Sequence, residues 1–131
     1  MHISKIATIE IPVTNLQRSV YWYTETLQLS LIHHDESSGT AMLSLSSKGE
    51  PTLYLVEVEE HTPLSFYNEK TKVTHSVIDF YTRNLHDYHA YLSEQGVEVG
   101  SLPIEAGKQG GFGFQDPDGN WLSVCNINPV P

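Results

Sequence analysis

His75 and Asp79 stand four residues apart in a stretch, Val73–Phe80, that alternates apolar and polar side chains. A strand repeats its facing every second residue, so both project from one face. The same rule places Trp121, Ser123 and Cys125 together on a terminal strand, and Thr8 with Glu10 on the first. Imidazole is a general base suited to neutral pH. Two carboxylates and one imidazole, Glu10, Asp79 and His75, are an acceptable ligand set for Fe(II), Mn or Zn. Asp79 also lies at a strand end, where a solvated or turn-capping carboxylate is the usual explanation. A Cys–His pair can supply a nucleophile. A lone cysteine is more often a small apolar filler, and Cys125 is read that way. Trp121 and Tyr54 join flat apolar area to a hydrogen-bonding tip, which suits pocket walls. Trp22, Tyr23, Phe112 and Phe114 are read as core.

The other histidines carry less. His33 and His34 are adjacent on a strand and point to opposite faces, so they do not readily share an ion. His86 and His89 are spaced i, i+3 on a helix, with no third ligand in sight. His2 and His61 fall in terminal and linker contexts. No phosphate loop, Ser-His-Asp order or zinc-knuckle spacing is present.

The bulk numbers set the frame. The chain has 131 residues, enough for one domain, 1–131, built from two half-domain units. Apolar residues make up 39%, which supports a core and no membrane span. The net charge of −9 opposes binding to nucleic-acid phosphates and favours a cationic ligand, although acidity also serves plain solubility. The N-terminus reads as carrying no signal peptide, and the one cysteine rules out an intrachain disulfide framework. The expectation is a cytoplasmic protein.

The elements that must position these residues follow in order. Residues 4–13 alternate as a strand. Asn15 offers a helix N-cap, and Leu16, Val20, Tyr23 and Leu27 form an apolar helical stripe. Leu29–His34, Thr40–Ser46 and Thr52–Val58 read as strands, with turns at Gly39 and at Lys48-Gly49-Glu50-Pro51. Residues 59–71 are polar and lack a period, as a connector would. The pattern then restarts with a strand at Val73–Phe80. Asn84 caps a helix with Asp87 in its first turn, Leu85 and Leu92 on its stripe and Gly96 at C′. Strands follow at Val97–Leu102, Gly110–Gln115 and Trp121–Asn126. Asp116-Pro117-Asp118-Gly119-Asn120 is a tight turn. Proline fixes φ, aspartates bond back to the backbone and glycine takes φ > 0. The modules, 4–58 and 72–127, are each β-α-β-β-β. Leu16 overlays Leu85, Glu25 overlays Glu94 and Tyr54 overlays Ser123, all 69 residues apart. The first strand is overlaid at 67, with Thr8 on His75. A repeat of this kind is a strong fold signal.

The doubled module, the Asn15–Tyr23 segment (similar to a D-L-x-x-S-x-x-F-Y pattern) and the Asp116–Asn120 turn together resemble the vicinal-oxygen-chelate superfamily. This is the group of glyoxalases, bleomycin-resistance proteins and ring-cleaving dioxygenases. The resemblance implies an α+β fold in which the modules form a curled, cup-shaped mixed sheet with helices outside. It also implies a homodimer. Metal-dependent members carry His, Gln or Glu at one position on each of four strands, and here those positions are Thr8, Tyr54, His75 and Ser123. Of these only His75 is a usual ligand, so no cofactor is expected. The expected function is metal-free binding of a small organic molecule by Thr8, Glu10, Tyr54, His75, Asp79, Trp121 and Ser123, in the manner of bleomycin-resistance proteins. The alternative is a glyoxalase- or dioxygenase-type enzyme with a divalent metal relocated to His75, Glu10 and Asp79.

Overall fold

The computed structural model describes residues 2–45 and 50–130. The chain divides into two compact units, Met1–Thr62 and Pro63–Pro131. Both are mixed α+β. Among the described residues no helix is long and apolar enough to cross a membrane.

In the first unit, β1 (Thr8–Val13), β2 (Ser30–Asp35), β3 (Thr40–Ser44) and β4 (Thr52–Glu57) form a sheet of order β1-β4-β3-β2. β1 and β4 run parallel, and the other pairs are antiparallel. Strand alternation sorts the side chains. Ile11, Val13, Ala41, Leu43, Leu53 and Leu55 are buried on the face that α1 (Leu16–Tyr21) covers. Thr8, Glu10, Thr52 and Tyr54 line the opposite face. Asn15 caps α1 by accepting from the Arg18 N–H at 3.1 Å.

The predicted continuous helical stripe meets a change of helix type. After Tyr21 the chain widens into a π-helical turn, Trp22–Thr26, where the Leu27 N–H reaches the Trp22 carbonyl. Thr24 marks the change. Its hydroxyl bonds the Val20 carbonyl at 2.7 Å and competes for the acceptor that a regular helix uses there. The wider turn still buries Tyr23 and Leu27. The predicted turn at Lys48-Gly49 lies outside the described residues, as does Ser46 at the end of its predicted strand.

The second unit departs further from expectation. The predicted strand Val73–Phe80 divides at Ser76-Val77. Its first part, β6 (Val73–His75), forms a two-stranded hairpin with β5 (Phe66–Asn68). That hairpin partner falls inside the stretch read as an unstructured connector. Phe66 and Tyr67 are good strand formers, and the polar flanks hid them. The remainder, β7 (Ile78–Tyr81), pairs parallel with β9 (Trp121–Cys125), and β8 (Gly111–Gln115) pairs antiparallel with β9, in the order β7-β9-β8. The predicted strand Val97–Leu102 shrinks to one bridge between Val99 and Phe114. Gly100 closes on Gly113 through its N–H, but its carbonyl accepts from His89 and is taken from any ladder. Pro103 follows without an N–H to offer.

Helix α2 (Leu85–Glu94) buries Leu85 and Leu92 and sets His89 edge-on to Phe112 at 4.8 Å. Asn84 sits at its N-cap without making the side-chain bond expected of it. At the other end Gly96, at φ 83°, closes the helix, with the Gly96 and Val97 N–H groups on the Ser93 and Leu92 carbonyls.

The Asp116–Asn120 turn takes the expected form. One carboxylate oxygen of Asp116 accepts from the N–H groups of Asp118 and Asn120, each at 2.9 Å, and Gly119 has φ 80°. The turn also does something unforeseen. Asn120 is fully buried, its Nδ2 donates to the other oxygen of Asp116 at 2.8 Å, and its Oδ1 accepts from the Leu64 N–H at 2.9 Å. The Trp121 N–H then bonds the Leu64 carbonyl. Asn120→Ala deletes both side-chain bonds in a buried place, and a buried group left unpaired costs roughly 1–3 kcal/mol. We expect that variant to lose about 2–4 kcal/mol in urea unfolding. A loss below about 0.5 kcal/mol, the range of ordinary surface changes, contradicts this account of the turn.

Candidate functional site

The site grows from the face of the second sheet that α2 does not cover. Ile78, Phe112, Phe114, Leu122 and Val124 are buried beneath it, so their neighbours along the strands point the other way. Register aligns Asp79 with Ser123 and Ser123 with Gly113, and it aligns Cys125 with Gly111. Two glycines therefore stand where side chains would fill the floor. At Gly111 a Cβ would come within 2.7 Å of the Val124 carbonyl oxygen, so that position stays bare by necessity. The result is a cavity of about 320 Å³ within the second unit, edged by His75, Ser76, Asp79, Trp121, Ser123 and Cys125.

Its polar end is a chain of short contacts. Ser123 Oγ lies 2.8 Å from Asp79 Oδ1, 2.7 Å from Ser76 Oγ and 3.3 Å from the Ile78 carbonyl, while Ser76 Oγ lies 3.0 Å from that carbonyl. Two hydroxyl protons serve these four contacts. The cluster is rich in acceptors and poor in donors. Cys125 adds none of consequence. Burial pushes its thiol up from its ordinary value, the Ile127 backbone, whose carbonyl lies 3.5 Å from Sγ, works against this, and Asp79 adds to the rise.

The strand break moves His75. It belongs to the β5–β6 hairpin, pairs with Phe66 and stacks on that ring at 5.0 Å and 11°. It still borders the cavity, but from the hairpin. The overlay of Thr8 on His75 is therefore corrected. Glu10 faces Tyr54 in the first unit as Asp79 faces Ser123 in the second, and both steps between units are 69 residues. Asp79, not His75, occupies the strand position opposite Ser123. Of the seven residues proposed from sequence, the structure brings His75, Asp79, Trp121 and Ser123 to one cavity. Glu10 and Tyr54 are neighbours on the first sheet, and Thr8 faces Thr52 there. Sequence reasoning missed Ser76, whose role depends on the break, and Gly111 and Gly113. The alternating Gly111-Phe112-Gly113-Phe114 pattern was the available signal for the glycine floor.

Comparison with known proteins bears on the fold. No curated protein matches the chain. Solved structures do, at identities that speak to fold alone. TnmS3, an antibiotic binding protein from Streptomyces sp. CB03234, has a TM-score of 0.75 at 21% identity, over 98% of this chain and 99% of that one. FosX, a fosfomycin resistance protein from Listeria monocytogenes, has a TM-score of 0.74 at 16% identity, over 97% and 96%. A superfamily member from Sphaerobacter thermophilus has a TM-score of 0.74 at 18% identity, over 97% and 100%. Residues 5–124 match the family model of the Glyoxalase/Bleomycin resistance protein/Dioxygenase superfamily, and the chain belongs to that superfamily.

Proposed function

We propose that this protein binds a small, flat organic molecule carrying hydrogen-bond donors, cationic or phenolic, in the cavity of its second unit, without a metal ion. The carrying observation is the Ser76–Ser123–Asp79 cluster, where acceptors outnumber protons. A ligand N–H or O–H completes that network, and an acceptor does not. Trp121 supplies a flat wall, and the glycine floor leaves room for a ring against it. A cation gains from both the carboxylate and the indole face. The antibiotic-binding and fosfomycin-resistance proteins of the same fold support binding of small organic molecules as the class of function.

The donor chemistry does not suit the family's divalent ion. The cavity offers one carboxylate, the Ser76 and Ser123 hydroxyls already tied to each other, the Thr74 hydroxyl, a histidine stacked on Phe66, and a Cys125 thiol whose raised pKa keeps it protonated and so a weak ligand. Neutral hydroxyls are poor ligands for a transition metal. Among the described residues no three His, Cys, Asp or Glu side chains gather to hold one.

Three outcomes are expected. A thermal-shift screen of aromatic amines, amidines and phenols yields a stabilising binder. Trp121→Ala and Asp79→Asn each weaken it, the latter roughly tenfold, the size of one charge-assisted hydrogen bond. A screen without hits, or hits indifferent to both changes, defeats the proposal. Dialysis against EDTA leaves the melting temperature and this affinity unchanged, whereas a fall restored by Zn or Mn would reinstate a metal site. Cys125, its thiol held up by burial and by Asp79, alkylates with iodoacetamide more slowly at pH 7.5 than free cysteine does. Asp79→Asn speeds that reaction, and equal rates in the two proteins argue against the carboxylate's influence.

A further inference from the structure

A second hollow lies on the same face. It measures about 240 Å³ and is bordered by Glu98, Gly100, Gly113, Gln115 and Trp121. Gly113 and Trp121 belong to both cavities. Ring carbons Cζ3 and Cε3 of Trp121 come within 3.8 and 3.9 Å of where a Cβ on Gly113 would stand. The indole thus leans from β9 across β8. Asp79 and Ser123 border the cavity on one side of it, and Glu98 and Gln115 border the cavity on the other.

Register accounts for this layout. Trp121 faces Gln115, and Ser123 faces Gly113. Val99 bridges Phe114, so Glu98 falls beside Gln115 and Gly100 beside Gly113, whose carbonyl takes the Gly100 N–H at 2.7 Å. Asp79 and Glu98 are separated by three strand spacings of ~4.8 Å and one two-residue step along a strand, roughly 15 Å in all. An indole that merely covered a glycine would explain the ring's position. It would not explain open space on both sides with a carboxylate bordering each.

We propose that the two cavities are one bipartite site for an elongated aromatic molecule with a cationic group at each end. One cation meets Asp79, the other meets Glu98, and the flat body crosses the indole between them. This rests on the reading of the first cavity as a ligand site and adds the second cavity, the length and the second charge. The net charge of −9 favours such a ligand over its neutral or anionic analogues.

Isothermal titration with benzamidine, and with a bis-benzamidine joined by a three-carbon diether chain, tests this. The bis-cation is expected to bind about tenfold tighter than benzamidine, because its second end engages at high effective concentration. Glu98→Gln takes roughly fivefold from the bis-cation, as an exposed ion pair would, and nothing from benzamidine. Asp79→Asn weakens both. If Glu98→Gln leaves the bis-cation untouched while Asp79→Asn weakens both probes, the second compartment is unused and the first-cavity reading survives. If neither probe binds, this inference falls while the first-cavity reading still rests on the wider screen; if both bind but ignore Asp79→Asn and Trp121→Ala, that reading falls and this inference falls with it.

Discussion

The buried pair of Asp116 and Asn120 governs the second unit. Asn120 is wholly enclosed, and it joins the turn before β9 to the Leu64 backbone, more than fifty residues earlier. A polar side chain enclosed in this way is costly unless its bonds are made, so the arrangement has little freedom to slip. Slippage matters because β9 carries Trp121, Ser123 and Cys125. A one-residue shift would turn all three against α2 and bring Leu122 and Val124 into the cavity. The turn therefore decides which side chains the site receives, although none of its own residues needs to touch a ligand.

Much of this was legible beforehand, for a physical reason. Alternation and turn chemistry are local properties, so β1, β4, β9, the Asn15 cap, the Gly96 helix end and the Asp116–Asn120 turn follow from neighbouring residues. What escaped were choices made by distant partners. Val73–Phe80 has an unbroken alternation, and nothing in it announces that Phe66 and Tyr67 will capture its first half as a hairpin. Nor does it announce that Ser76 will turn its hydroxyl toward Ser123. The two-residue discrepancy in the overlay of the first strands was the one trace of this break, and the pairing removes it. Both parallel pairs share the 69-residue step, so the repeat is more regular than the sequence suggested. The π-helical turn at Thr24 escaped similarly, since a threonine inside a helical segment commonly stays within a regular helix.

The site was half visible. Trp121, Ser123 and Asp79 follow from period two alone. His75 reached the cavity by another route than the one that nominated it. The glycines could be read as strand weakeners, yet Gly111 is required by the Val124 carbonyl, and Gly113 lies under the indole. Their meaning depends on cross-strand partners, which a single sequence does not pair.

The character of position 123 ties these features together. Asp79 and Ser123 are directly opposite and within hydrogen-bond reach. A carboxylate at 123, the kind of ligand a metal site uses on such a strand, would meet Asp79 at that separation. Two like charges so close need a cation or a shared proton between them. A hydroxyl needs neither. Its Oγ reaches Asp79 Oδ1 at 2.8 Å and Ser76 Oγ at 2.7 Å without adding a second charge. Asp79 is exposed enough to be reached, and its charge is not consumed by a neighbouring lysine or arginine in the cavity wall. The serine therefore changes what the site selects. With two acids a cation or a shared proton would have to lie between them, whereas an acid beside a hydroxyl suits the proposed ligand, one that brings an N–H or O–H of its own.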